Sequence, residues 1–387
     1  MNSLKVGIWR GSLVVREDTI PFLFEVKGSK PDSVSVTLIN GDDRFELKKV
    51  IFNNDSVTIP VDLYDVRLTG QLTNNTINGH FIKKSANNPT ISIPFFAEYG
   101  NLQRFSGIKH STQDFSLNGT WDVNITSSSN TTKTIGNFEQ KGSKVTGSIL
   151  DPSGDYRFFE GVVQDKKFVL SAFGGSTPYL IKGDFHNDTT FSGEFVTLRQ
   201  TLKLQATRNP NAKMPDPYLS SQLRDGYSKL SFTFPNLEGK NISLSDPEYQ
   251  GKVVIVTILG SWCPNCLDEN AFLAGWYKEN HKRGIEVIGL GFERKEDFES
   301  AKKSLTALKT RLGIDYEILF AGKSGTESAS KALPALNGIS AFPTTIFIDK
   351  KGNVRKVHSG FNGPATGKFY ADFKIEFNQL IDELVSE

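Results

Sequence analysis

The chain before residue 210 carries an internal repeat. "GIWRG" at Gly7–Gly11 matches "GTWDV" at Gly119–Val123, and "GDDRFE" at Gly41–Glu46 matches "GDYRFFE" at Gly154–Glu160. "GQLTNNTINGHF" at Gly70–Phe81 matches "GDFHNDTTFSGEF" at Gly183–Phe195, with one residue inserted. Three ordered matches at offsets between 112 and 114 residues point to two copies of one unit. The period is far longer than that of a stacked solenoid, so each copy is a unit of about a hundred residues.

Each copy reads as all-β. Short runs rich in β-branched and aromatic residues alternate with Gly, Asn, Asp and Ser, as in "SVTIPVDLYDVRLTGQL" and "KFVLSAFGGSTPYLIKGDF". Period-2 alternation broken by turn residues predicts strands, and no helix before residue 215. "NGDD" at Asn40–Asp43 predicts a hairpin, because Asn and Gly tolerate positive φ. Two sandwiches, two small barrels or two halves of one larger β structure all fit. Strands opening with G-x-W are similar to those of lipocalin-like barrels. Trp9 and Trp121 then either plug the cores or form a ligand site at a barrel mouth.

"TRNPNAKMPDPY" at Thr207–Tyr218 is rich in Pro and Asn and reads as a linker. After it, the pattern changes. "KVVIVTIL" (Lys252–Leu259) is a continuous apolar run, expected for a parallel strand buried on both faces. "CLDENAFLAGWYKENHKRG" and "KEDFESAKKSLTALKTRLG" are helical and stop at Gly284 and Gly313. "IEVIGLGF", "YEILF" and "TTIFIDKKGNVRKVHSG" supply further strands, and "GKFYADFKIEFNQLIDELV" a final helix. The order β-α-β-α-β-β-α predicts an α/β sandwich. The expected organisation is β unit 1 over 1–106, β unit 2 over 107–208, a linker over 209–228 and an α/β domain over 229–387.

Composition narrows the partners. The net charge of +2 gives no electrostatic reason to invoke nucleic acid or an anionic membrane. No stretch approaches a membrane span. "MNSLKVGIWRG" has no apolar h-region, so either the protein is cytosolic or a signal has been removed. Two cysteines in 387 residues fit an oxidising compartment, where stray thiols are a liability.

Those two cysteines, Cys263 and Cys266, lie in "GSWCPNC". Zinc needs four ligands, and there is no third cysteine and no H-x3–5-H pair among His80, His110, His186, His281 and His358. Two inert buried thiols are the bland reading. The redox reading rests on context: the pair follows a buried strand and opens a helix. Unpaired N–H groups and the helix dipole there stabilise a thiolate at Cys263. Pro264 suits the first helical turn. Cys266, one turn in, would resolve a mixed disulfide, and Trp262 would shield the pair. "SAFPTTIFID" places Phe342-Pro343-Thr344 before a strand, where an X-Pro bond is either trans or cis.

Residues from about 229 to 387 resemble the TlpA-like, AhpC/TSA-like branch of the thioredoxin superfamily. The residues that carry the resemblance are "KLSFTFPNLEGKNISLSDPEYQGKVVIVTILGSWCPNC" and "FPTTIFIDKKGNV". The fold class it implies is multidomain, with duplicated β-barrel or sandwich units ahead of an α/β thioredoxin-like domain. Cys263 would attack and Cys266 resolve. Pro343 would be a cis-proline facing the disulfide, with Phe342 and Thr344 presenting backbone groups to a substrate strand. Glu269 matches an acidic position that tunes or relays protons; otherwise it is a solvated first-turn carboxylate. No cofactor is implied beyond the redox-active disulfide: no nicotinamide, no flavin. The implied partners are proteins carrying disulfides and an upstream redox partner supplying electrons, in the periplasm or cell envelope. A membrane tether through a removed N-terminal signal fits the same picture.

The chain departs from the family pattern. Thioredoxin has a buried aspartate six residues before its first cysteine; here the position is Thr257. Proton transfer to Cys266 then falls to Glu269, Lys252 or water. Asn270 stands where Pro is common. Pro-Asn between the cysteines lacks the histidine of strongly oxidising relatives, so a reductant or mid-range exchanger is expected. A thiol peroxidase would want Thr at Gly260 and a nearby Arg. The remaining alternative is a ligand- or partner-binding protein that uses the thioredoxin-like domain as a scaffold.

Overall fold

The computed structural model describes residues 4–28, 30–84, 89–105 and 115–387. His110 and the expected boundary between 106 and 107 lie outside the described residues. The chain divides into two compact units: Met1–Asp151 with Tyr156–Lys213, and Pro152–Asp155 with Met214–Glu387.

In the first unit, nine strands between Gly7 and Tyr99 pair antiparallel into one curled sheet. The predicted hairpin is there: Asn40 pairs with Asp43 around Gly41, whose φ is +54°. A second sheet spans Gly119 to Arg208, and eight of its strands close into an up-and-down barrel. Gly119–Thr126 pairs with both Thr131–Lys141 and Thr201–Arg208, while Lys144–Asp151 pairs with Phe159–Gln164. Among the described residues, only two single turns of 3-10 helix interrupt the strands before residue 215.

The duplication shows in the opening strand of each copy. Trp9 pairs with Tyr99 on the last strand of its sheet, and Trp121 with Arg208 on the last strand of the barrel. Both indoles are fully buried, and each donates Nε1–H to the carbonyl four residues earlier, Lys5 or Leu117. They plug cores and line no barrel mouth. Both copies lie in one compact unit. Phe22 meets Phe173 edge-on at 4.8 Å, and Ser171 Oγ donates to the Pro21 carbonyl at 2.6 Å. The Arg104 guanidinium is buried in this seam and donates to Ser171 Oγ at 3.1 Å and to the Ile39 carbonyl. Desolvation lowers its pKa to about 10, against the pull of Glu160.

The second unit holds a five-stranded sheet: β1 (Val253–Leu259), β2 (Ile285–Glu293), β3 (Glu317–Lys323), β4 (Thr344–Ile348) and β5 (Val354–Ser359), in the spatial order β3-β2-β1-β4-β5. The first three run parallel; β4 is antiparallel to its two neighbours, β1 and β5. Helices α1 (Pro264–Asn280), α2 (Phe298–Leu312), α3 (Thr326–Ala332) and α4 (Lys368–Ser386) complete it. This is the thioredoxin-like α/β arrangement that the resemblance implies. Every residue of β1 is buried, as its apolar run predicts for the central strand. The short α3 and a hairpin of Thr233–Pro235 with Asn241–Ser243 are additions to the expected element order.

Much of the expected linker is built into this unit. Arg224 N donates to the Ala335 carbonyl, Ser359 N to Pro217 and Val354 N to Ser228. Ser221 is fully buried and accepts from Ser359 Oγ at 3.1 Å. A segment with this many backbone partners is ordered structure, and the second unit takes in Met214–Glu387 together with Pro152–Asp155. No described helix is long and apolar enough to cross a membrane.

Candidate active site

The site forms where β1 hands over to α1. The turn between them is held from β2. Ser261 donates through both N and Oγ to Glu293, each at 2.8 Å, and Trp262 Nε1 donates to the Phe292 carbonyl at 2.8 Å. Gly260 leaves room for this packing: a Cβ there would lie 2.4 Å from Trp262 Nε1. The threonine a peroxidase would want at this position does not fit.

Cys263 is the N-cap of α1 and Pro264 its first residue. The two cysteines form a disulfide, and Cys266 N–H donates to Cys263 Sγ at 3.1 Å. An unpaired helix-start N–H therefore points at the sulfur on which negative charge would develop. Cys266 is fully buried, and Cys263 is only 5% exposed. Trp262 and Phe342 pack together beside it, with ring centroids 5.5 Å apart. The Arg294 guanidinium lies 5.8 Å over the Trp262 ring.

The Phe342–Pro343 peptide is cis, and Cys263 Sγ lies 3.6 Å from the Phe342 carbonyl oxygen. The Pro343 carbonyl accepts from Gly360 N at 2.8 Å. Thr344 is fully buried in β4, paired with Ile258 on one side and Ser359 on the other, and its hydroxyl donates to the Ala341 carbonyl. Its backbone is thus held in the sheet. Of the two residues expected to present backbone groups outward, Phe342 is the one at the disulfide.

Glu269 is 2% exposed, not the solvated carboxylate of the alternative reading. Thr257 Oγ1 donates to its Oε2 at 2.7 Å and Thr345 Oγ1 to its Oε1 at 2.6 Å. Burial pushes its pKa up to about 7, with the two hydroxyls acting in the opposite direction. Asn270, also fully buried, donates to the Cys266 carbonyl at 2.7 Å and accepts from Tyr316 OH at 2.8 Å. Lys252 stands just before β1, at the opposite end of that strand from Cys263, and pairs with Glu286 at 2.6 Å. That removes it from any proton route to Cys266.

Residues 227–357 match the AhpC/TSA family. This stretch is an AhpC/TSA family domain. The chain is 29% identical over 142 residues to thiol-disulfide oxidoreductase ResA of Halalkalibacterium halodurans, a match covering 36% of this chain and 71% of that protein. It is 27% identical over 138 residues to ResA of Bacillus subtilis, covering 36% of this chain and 69% of the relative. Among solved structures, a thioredoxin-family thiol:disulfide interchange protein from Chlorobium tepidum is 23% identical, with a TM-score of 0.31, over 42% of this chain and 99% of its own.

Within the AhpC/TSA domain, the structure gathers Trp262, Cys263, Pro264, Cys266, Phe342 and Pro343 around the disulfide, with Thr344 and Glu269 in the layer beneath. The sequence reading missed Thr345, Glu293, Asn270 and Tyr316 as parts of this assembly. A signal for two of them was present: Thr345 is a polar residue at the head of an apolar run, and Glu293 is an acid at the end of one. A polar group in a fully buried strand needs a partner.

Proposed function

We propose that the chain is a thiol–disulfide oxidoreductase that reduces disulfides in protein substrates. The observation that carries this is the Cys263–Cys266 disulfide at a helix N-terminus, 3.6 Å from the carbonyl preceding a cis-proline. In the dithiol form, the Cys263 thiolate attacks one sulfur of a substrate disulfide. The Cys263–substrate bond forms, the substrate bond breaks, and the second substrate sulfur leaves as a thiolate and takes a proton. Cys266 then gives its proton to Glu269 and attacks Cys263 Sγ. The first substrate sulfur departs, and the Cys263–Cys266 bond forms. Two electrons pass to the substrate, and a dithiol partner upstream restores the pair, so the cycle needs neither nicotinamide nor flavin.

The direction follows from what surrounds the sulfurs. Pro264 and Asn265 bring no cationic side chain between the cysteines, so the thiolate lacks the stabilisation that makes a strong oxidant. The cell envelope is the compartment that suits a chain whose only two cysteines form one disulfide. Equilibrating the pair against glutathione tests the reading. A reversible two-electron couple, with Cys263→Ser inactive in disulfide exchange, is expected. A disulfide that never reduces and re-forms reversibly would overturn it. Expression of Cys266→Ser in the host should trap substrates as mixed disulfides.

A further inference from the structure

The Glu269 carboxyl is gripped from the sheet by two hydroxyls on neighbouring strands. Thr257 of β1 and Thr345 of β4 are directly paired in register, so their side chains leave the same face. Both are buried, at 0% and 3% exposure, and each takes one oxygen of the carboxyl. Glu269 lies three residues after Cys266 on α1, on the same side of the helix.

A buried carboxyl that must change charge faces a problem. Ionised, it accepts hydrogen bonds at both oxygens; protonated, it must also donate one. Fixed donors such as backbone N–H groups would satisfy only the first state. A hydroxyl serves both, because it can donate or accept by rotating about one bond. With two hydroxyls, one can turn to accept the new O–H while the other continues to donate. Gaining or losing a proton then requires no repacking and leaves both carboxyl oxygens hydrogen-bonded.

We propose that Thr257 and Thr345 are positioning residues that hold Glu269 in one place through both of its protonation states, and that they set the pH at which it exchanges a proton with Cys266. The proposal rests on the assignment of Glu269 as the proton acceptor of the exchange reaction.

Among the described residues, the surroundings give no other group that could do this. Burial and the two hydroxyls set the Glu269 carboxyl, with no charged side chain contributing among the described residues. The titratable groups near it are Cys266 on its own helix, Tyr316 before β3 and His358 on β5. Tyr316 is buried and held neutral, its hydroxyl committed to Asn270. His358 pairs across β5 with Thr345, so it continues the same row over the sheet. Burial lowers its pKa to about 4, which keeps it uncharged near neutrality. β2 contributes Gly289 opposite Thr257, and α4 packs with Phe373 and Phe377; none of these titrates.

The test reads the carboxyl directly. Full-length protein in the disulfide form, labelled with 13C at glutamate Cδ, is titrated by NMR; the Glu269 signal is the one absent from Glu269→Gln. Wild type should titrate near neutrality. Thr257→Val and Thr345→Val, which keep the shape and remove the hydroxyl, should each move the midpoint upward by about one pH unit. Thr257→Ser and Thr345→Ser should leave it within a few tenths. The pH profile of disulfide exchange should move with the midpoint in each case. If Thr257→Val does not fold, Thr345→Val carries the same test. Valine variants that titrate with wild type would overturn the clamp. If instead Glu269→Gln exchanges disulfides with an unaltered pH profile, the role of Glu269 fails, whatever the threonines do to its titration.

Discussion

The Thr257 hydroxyl donates to Glu269 Oε2 at 2.7 Å, so the strand that carries no acid of its own receives one from the helix above it. In this chain the strand contributes the hydrogen-bond donor and the helix contributes the carboxyl. The buried acid is therefore relocated, and it stands one helical turn from Cys266.

This relocation has a cost in stability that depends on pH. The folded pKa of Glu269 is raised to about 7 from an ordinary 4.5. A raised folded pKa means that the folded state binds the proton more tightly than the unfolded state. The associated stability is full below about pH 4.5 and is lost as pH rises through 7, a change on the order of 3 kcal/mol. Urea unfolding of the disulfide form should therefore show the α/β unit weakening between pH 4.5 and 8. Glu269→Gln should weaken much less over the same range. Parallel curves for the two proteins would show that Glu269 is not the group responsible.

The turn before the cysteines predicts the effect of converting it to a peroxidase pattern. Gly260→Thr would drive a Cβ to within 2.4 Å of Trp262 Nε1 and 3.0 Å of the Phe292 carbonyl oxygen. The indole must then leave its hydrogen bond to Phe292. Overpacking of this kind costs about 1–3 kcal/mol. The variant should lose disulfide-exchange rate and gain no peroxide reduction, measured by a thiol-coupled assay with hydrogen peroxide.

What could be read in advance depended on how local the pattern was. β1 announced itself as "VVIVTIL", and the cysteine turn followed because a strand, a Pro at the first helical position and C-x-x-C are contiguous. The clamp could not be read that way. Thr257 and Thr345 meet only because β1 and β4 pair in one particular register, and nothing in either segment states that register. The β copies give the same lesson. Asp43–Leu47, in the first copy, forms a full strand that extends a curled sheet. In the second copy, Lys144–Asp151 pairs directly with Phe159–Gln164 and the sheet closes. Closure is a choice of strand partner, which the shared "G-D-x-R-F" motif does not encode. The backbone partners of the Pro- and Asn-rich segment are just as non-local: Pro and Asn mark an absence of regular structure, not an absence of partners.

Lys252 supplies a negative control. It pairs with Glu286 at 2.6 Å, and Tyr277 OH donates to the other Glu286 oxygen at 2.7 Å. This group sits away from the disulfide and carries no proton to Cys266. Lys252→Met should leave the pH profile of disulfide exchange in place, with stability changed by about 1 kcal/mol or less. A shifted profile would return Lys252 to the proton route.

Ser221 tests whether Met214–Ser228 belongs to the catalytic unit. Its hydroxyl is buried between Ser340 and Ser359, at 3.4 and 3.1 Å. Ser340 lies three residues before Pro343, and Ser359 pairs with Thr344. The segment thus braces both sides of the cis-proline turn. Ser221→Ala would leave the Ser359 hydroxyl without its acceptor, a loss of about 1–3 kcal/mol for a buried group. Thermal inactivation of disulfide exchange reports on this unit without interference from the β sheets. The midpoint should fall by several degrees, while exchange measured at low temperature stays near wild type. Ser221→Thr, which keeps the hydroxyl, should recover part of the loss. If Ser221→Ala inactivates at the wild-type temperature, the segment is a passive connector after all.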